Sequence, residues 1–397
     1  MAAQPVSLRI AIVGAGIAGL TAAAAFRKEG HDVAVFESSA LNKEIGAAIA
    51  LSANSLRVLA YLGFEVRNLR AVDYLGVTWF DSQGGEGKLD RLHDPRDTFG
   101  KPGIQCHRSE LHEELKRLAT MVDAPGKPAV IHLKSEVASC DPAAATLTLA
   151  NGDVHRADVL VGADGIHSTI RTSVLGYRQI ALPSQRAAFR CLLDAAKLDG
   201  SAKFDWLRSG VSGARGVRPA DGSGRYLFIF PCRDDTLINI VAHLPDARDQ
   251  DKFGNDFAPR YTALFELVDG PVHLWQIRAL PCLPTWIRAR AALAGDAAHA
   301  TFPTIGQGAG MSIEDAVTLA CLLPLGTPAE QVPARLEAYQ TLRKQRGEFV
   351  LTEAVEQVTV PSKRGLYSRS LEMQAYMIGH DAIAVAKEYV AAHFPSV

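Results

Sequence analysis

The 397 residues carry 42 lysines and arginines against 43 aspartates and glutamates, with 48% hydrophobic and 21% charged residues and a formal net charge of −1. Such a chain can bury a core for two or three domains, and without a basic run it excludes a nucleic-acid footprint. No apolar stretch is long enough to span a bilayer. The first strand arrives by Ile10, so no secretory signal is expected. Six scattered cysteines without a Cys-x-x-Cys pair indicate neither a zinc site nor a disulfide framework. The expectation is a cytoplasmic protein with reduced thiols and no bound metal.

In chain order, RIAIVGAGIAGLTAAAAFRKEGHDVAVFE (9–37) reads as strand Ile10–Val13, a glycine turn, helix Leu20–Lys28 and strand Val33–Phe36, a parallel βαβ unit. Gly14 permits the tight turn, Gly16 lets the backbone approach a pyrophosphate, and Gly19 lets helix and sheet close up. The helix start offers free N–H groups and the positive end of a dipole. Glu37 ends the second strand, where it can accept hydrogen bonds from a ribose diol. These residues call for a dinucleotide without separating NAD from FAD.

Residues 109–121 put Leu111, Leu115 and Leu118 on one helical face, with Ser109 as the N-cap. ATLTLANGDVHRADVLVGADG alternates about Asn151-Gly152, a hairpin turn, and then becomes the buried run Val159–Val161. From about 180 to 280 the pattern changes to a mostly antiparallel sheet, with two strands joined by the charged tip Arg233-Asp234-Asp235. On the first of them Tyr226, Phe228 and Phe230 share a face, as core or as an aromatic pocket wall. A strand returns at Ala291–Ala294, followed by a helix from about 308 to 323 and helical segments near 333–357 and 369–393.

Three motifs occur in order: the opening GxGxxG, VLVGADGIHSTIR (159–171) and ALAGDAAHATFPTIGQGAGMSIEDA (292–316). With HRSEL at 107–111 they resemble the FAD-dependent aromatic hydroxylases, the single-component flavoprotein monooxygenases typified by p-hydroxybenzoate and salicylate hydroxylases, over about residues 8–347. The resemblance implies an α/β fold in which a Rossmann-like FAD-binding domain (1–75, 101–178 and 281–330) is interrupted by a mostly antiparallel substrate domain (76–100 and 179–280). A C-terminal helical segment (331–397) follows. It also implies non-covalent FAD and NAD(P)H as a passing co-substrate. O₂ would add to form a flavin hydroperoxide that hydroxylates a phenolic or heteroaromatic small molecule, in secondary metabolism, by a monomer or homodimer. An epoxidase or dearomatising oxygenase acting on a natural-product intermediate stays open, as does a non-catalytic flavin-binding protein.

Asp296 follows a buried strand, so its carboxylate sits at a sheet's C-terminal edge, suited to the ribityl chain beside the pyrophosphate. Gly306, Gly308 and Gly310 flank a helix start whose amides can meet the negative charge of a reduced flavin. By resemblance, Asp164 serves FAD and the nicotinamide nucleotide, with Arg171 downstream, and Arg108 reaches the FAD ribose and phosphates. Ala50, in the segment EIGAAIALSANSLRVLAYLG (44–63), and Ala309 are backbone contacts at the isoalloxazine. Pro303 is a rigid wall beside the flavin. Arg190 clamps a phenolate or carboxylate, and Tyr226 donates to the same oxygen or packs. His107, His167 and His299 are structural.

Overall fold

The computed structural model describes residues 5–40, 47–91, 99–100, 103–198, 200–245, 257–363 and 370–394. Parts of two expected stretches, 44–46 of the flavin-side segment and 364–369 of the tail, lie outside the described residues.

The short Val- and Ile-rich runs form a six-stranded sheet in the order Ile287–Arg288, Ala291–Leu293, Val159–Gly162, Arg9–Val13, Asp32–Phe36, Val130–His132. Every pair but the first is parallel. The inner strands are apolar throughout because helices cover both faces: Ile10, Ile12, Val35 and Val159 to Val161 are each 1% exposed or less. The chain steps from Arg9–Val13 to Asp32–Phe36 on one side and later returns to Val159–Gly162 on the other. The strand order therefore reverses here, and a crevice opens beyond the C-terminal ends, where ligands of open α/β sheets bind.

The first helix, Ile17–Lys28, carries alanines at 22–25, and this small face lets Gly308–Leu322 pack closely across it. Arg108–Thr120 packs on it too, burying Leu111, Leu115 and Leu118 as the periodicity requires. The expected Ser109 cap is corrected: His107 is the N-cap, and its ring Nδ1 accepts from the Ser109 N–H. An imidazole nitrogen reaches the same N–H that an oxygen would, a substitution no N-cap preference suggests.

The middle of the chain forms a seven-stranded sheet in the order His273–Ala279, Leu182–Asp194, Leu237–Pro245, Tyr226–Cys232, Ala214–Arg218, Gly76–Asp81, Gly84–Arg91. One pair, Ala214–Arg218 with Gly76–Asp81, is parallel and the rest antiparallel. Arg233, Asp234 and Asp235 form the charged tip, all three at positive φ. Leu227, Ile229 and Ile240 point to this sheet's own core with Trp206, Tyr261 and Leu264. The opposite face turns toward the parallel sheet.

The tail begins with the long helix Val332–Thr359, with Pro333 in its first turn, where its missing N–H costs nothing. The helical stretch expected over 369–393 is two helices, Leu371–Ile378 and Ala382–His393, because Asp381 caps the second through the Ile383 and Ala384 N–H groups. Among the described residues no helix is long and apolar enough to cross a membrane.

Candidate active site

Three strand ends converge on the crevice. At the first, Gly14 has φ +99°, and a Cβ there would sit 2.5 Å from the Ala163 carbonyl oxygen, so only glycine fits. A Cβ on Gly19 would run into the Gly14 carbonyl. Gly16 has no atom within 4 Å of its Cβ position and borders the crevice. The three glycines thus do different work, and only Gly16 faces open space.

Glu37 closes the turn from the neighbouring strand. Its carboxylate accepts from the Ala15 and Ser39 N–H groups, each at 2.8 Å. Burial alone would raise this carboxyl, but those backbone donors and the Ser38 and Ser39 side chains hold it below its usual value.

At the second strand end Asp164 turns away from the crevice. Its carboxylate accepts from Ser168 Oγ at 2.5 Å, Thr169 N–H at 2.7 Å and Ile170 N–H at 3.1 Å, fastening the start of helix Thr169–Leu175. Its neighbours Ala163 and Gly165 border the crevice instead. Arg171, 2% exposed, donates to the Ile166, Gln179 and Ala297 carbonyls and so ties this turn to the third strand end.

There Gly295 (φ +60°) leads into Asp296, which lines the crevice. The Asp296 side chain is reached from the crevice, while the surrounding protein shields it from bulk water and pushes its carboxyl up, against the pull of His299, Arg108 and Arg171. A buried network holds this loop. Asp315 accepts from Gly295 N–H at 3.0 Å, lies 2.5 Å from His299 Nε2 and receives Arg343 at 2.8 Å. Glu314 receives Arg343 and Arg346 together with the Asn54 amide.

The helix Gly308–Leu322 starts in the same crevice, with no side-chain cap and no acidic residue in its first turn. Gly306, Gly308 and Ala309 border the space, and neither Gly306 nor Gly308 has an atom within 4 Å of its Cβ position. Gly310 is held off by Asn54 and Gln307. Ala50 and Arg108 enter from the small sheet Ala48–Leu51, Ile104–His107, Val72–Asp73 and the helix it feeds; Pro303 closes the side below Gly306.

The crevice continues against the seven-stranded sheet, and the two parts together form a cavity of about 540 Å³. Directly opposed residues of antiparallel strands share a face, so the register sets out three rows. One holds Tyr226, His243, Ala188 and Trp275; the next Phe228, Val241, Arg190 and His273; the third Phe230, Asn239 and Leu192. Among the described residues Arg190 Nε has no hydrogen-bond partner, and burial and Arg108 lower the guanidinium's pKa against the pull of Tyr226. His243 is kept neutral, pushed down to about 3 by burial and by Arg190 and Arg186.

Phe228 and Phe230 border the cavity; Tyr226, on the same face, does not. Its ring stacks on His243 with centroids 4.3 Å apart, one layer behind the wall. Asn239 and His243 lie four residues apart on one face of the otherwise apolar strand LINIVAHLP, with Val241 between them, a sparser signal than strict polar alternation. Glu314 and Asp315 belong to the third motif, but nothing local points to partners 28 to 32 residues away.

A family model described as FAD binding domain matches residues 7–354. The chain is 41% identical over 413 aligned positions to the hispidin-3-hydroxylase of Neonothopanus nambi, covering 98% of this chain and 97% of that protein. It is 32% identical over 363 positions to the FAD-dependent monooxygenase cfoG of Aspergillus candidus, covering 86% and 83%. Among solved structures it resembles a salicylate hydroxylase substrate complex, with TM-score 0.76, 25% identity and coverage of 96% of this chain and 97% of that one.

Proposed function

The chain belongs to the FAD-dependent aromatic hydroxylases, a family of flavoprotein monooxygenases, and from that premise we propose that it uses NAD(P)H and O₂ to hydroxylate a phenolic or heteroaromatic small molecule, with hispidin the first compound to test. One observation carries this reading: a single cavity joins the uncapped starts of two helices to an aromatic wall bearing Arg190.

The residues fit FAD. Gly16, Gly165, Gly306 and Gly308 each leave open the space a Cβ would fill, which backbone-to-ligand contact requires. In this reading the amides after Gly16 hold the pyrophosphate and Glu37 holds the adenosine ribose. Asp296 accepts from the ribityl hydroxyls, and Arg108 balances the phosphate charge. Asp164 contributes by fixing the turn that presents Gly165. Ala50 and the helix-start amides of Gly308 and Ala309 would hold the flavin end, where the helix start favours negative charge.

When bound, FAD supplies the electron transfer and oxygen activation that no side chain provides. The protein orients the substrate and excludes water. Arg190, a guanidinium whose Nε is unpaired among the described residues, would stabilise a phenolate and so enrich the ring in electrons. Pro303 with Phe302 makes a rigid side to the reacting space. Tyr226 supports the wall through His243. The division into an FAD-binding domain interrupted at 76–100 and 179–280 by a substrate domain is part of the same proposal.

Anaerobic reduction of the purified holoprotein with NADH and NADPH, with and without hispidin and simple phenols, tests the reading. The expected result is phenol-stimulated bleaching, followed in air by an oxygenated product. Flavin that no nucleotide and phenol combination bleaches refutes it. Arg190→Gln should keep its flavin while kcat/KM falls about 10- to 100-fold, the loss of one charge-assisted hydrogen bond.

A further inference from the structure

Among the polar residues that border the cavity, Asn239 is one that the hydroxylase reading leaves unused. Asn239 is 0% exposed and borders the cavity, and among the described residues its Nδ2 has no hydrogen-bond partner. Its Oδ1 accepts from the Ala48 N–H at 3.3 Å, which fixes which end of the amide is oxygen and leaves the NH₂ end without an acceptor. The directly opposed residues, Leu192 and Phe230, are apolar and supply none. A donor so buried destabilises the fold unless something accepts from it.

Arg190 stands opposite Val241, two residues along the same strand from Asn239, so Asn239 and Arg190 are diagonal neighbours on one face. Such pairs lie about 7–8 Å apart between Cα atoms, a spacing that one substituted ring can bridge. The two groups differ in kind. Arg190 suits an anion, whereas an amide NH₂ suits a neutral oxygen.

We propose that Asn239 donates to a second, neutral oxygen of the substrate, so that the compound oxygenated here is a phenol or enol that also carries a carbonyl or ring-oxygen acceptor. This rests on the hydroxylase reading and narrows it from phenols at large to oxygenated, carbonyl-bearing ones. The amide also couples the substrate wall to the segment at Ala48 that flanks the cofactor crevice. An acceptor on the substrate therefore completes a bridge from one side of the cavity to the other.

The test uses holoenzyme and matched compounds, 4-hydroxyacetophenone against 4-ethylphenol and hispidin against phenol, with steady-state kinetics and flavin-absorbance titration for each. Wild type should favour the carbonyl-bearing members. Asn239→Leu should lose about 10- to 100-fold in kcat/KM on them, with a far smaller change on the plain phenols and unchanged FAD affinity. Asn239→Ser is compared in the same way, and melting temperatures of both variants separate misfolding from lost recognition. No preference in wild type, or a preference that survives in both variants, overturns the inference and leaves the hydroxylase reading intact. Loss of FAD affinity at an unchanged melting temperature also overturns it, because the amide would then belong to the cofactor. If no compound stimulates NAD(P)H oxidation, both readings fall together.

Discussion

Gly16→Ala and Gly19→Ala are chemically the same change a single helical turn apart, yet the structure assigns them opposite consequences. At Gly16 the backbone is extended, with φ −76°, and the new methyl enters open space. The apoprotein should therefore be as stable as wild type, or gain roughly 0.4–1 kcal/mol from a stiffer unfolded chain. Under the proposed FAD site, that methyl occupies the place where the pyrophosphate would approach the amides. Losing one charge-assisted hydrogen bond, worth about 1.5–3 kcal/mol, weakens FAD binding roughly 10- to 150-fold. At Gly19 the methyl falls within 3.0 Å of the Gly14 carbonyl, a distance real Cβ contacts do not reach. Helix and strand must separate, costing about 1–3 kcal/mol or more in the apoprotein. Urea denaturation of the two apoproteins and flavin-fluorescence titration separate the effects. Wild-type FAD affinity in Gly16→Ala, or wild-type apoprotein stability in Gly19→Ala, would refute the assignment of cradle and packing glycine.

Three further outcomes follow from the same geometry. Arg171→Met strands the Ile166, Gln179 and Ala297 carbonyls, and should cost about 3 kcal/mol or more, read as a fall in the urea midpoint. Glu314→Gln breaks a buried pair with Arg343 and Arg346 and should cost about 3–5 kcal/mol at neutral pH. Burial opposes ionisation of Glu314 and Asp315, yet Arg343 and Arg346 around Glu314, and His299 and Arg343 around Asp315, hold the carboxyls down at about 2. Their stabilisation is complete above the ordinary carboxyl range and is lost as the pH falls, since the unfolded chain then binds more protons. Wild-type melting temperature should drop steeply from about pH 5 to 3, and that of Glu314→Gln less steeply. Gly347→Ala drives a methyl into the Trp286 ring beside His299 and should lower the melting temperature by the cost of overpacking, about 1–3 kcal/mol.

What could be read directly from the sequence was whatever depends on neighbouring residues. A left-handed backbone at Gly14, the alternation through Tyr226, Phe228 and Phe230, the hairpin at Asn151-Gly152 and the buried run at Val159 all follow from local sterics and side-chain periodicity. Of the residues that the ordered motifs single out, Gly16, Ala50, Arg108, Asp296, Gly306, Gly308 and Ala309 line the crevice. Tertiary structure decided the rest. Whether Asp164 faces a ligand or its own helix depends on where Ser168, Thr169 and Ile170 present their donors. Whether Tyr226 touches the cavity depends on a His243 ring lying in front of it. That Asn239 holds an unused donor depends on an Ala48 amide 191 residues away in the chain. Hydrogen-bond satisfaction and burial are properties of the assembled interior, shared among segments distant in the chain, and periodicity carries no record of which partners those segments bring.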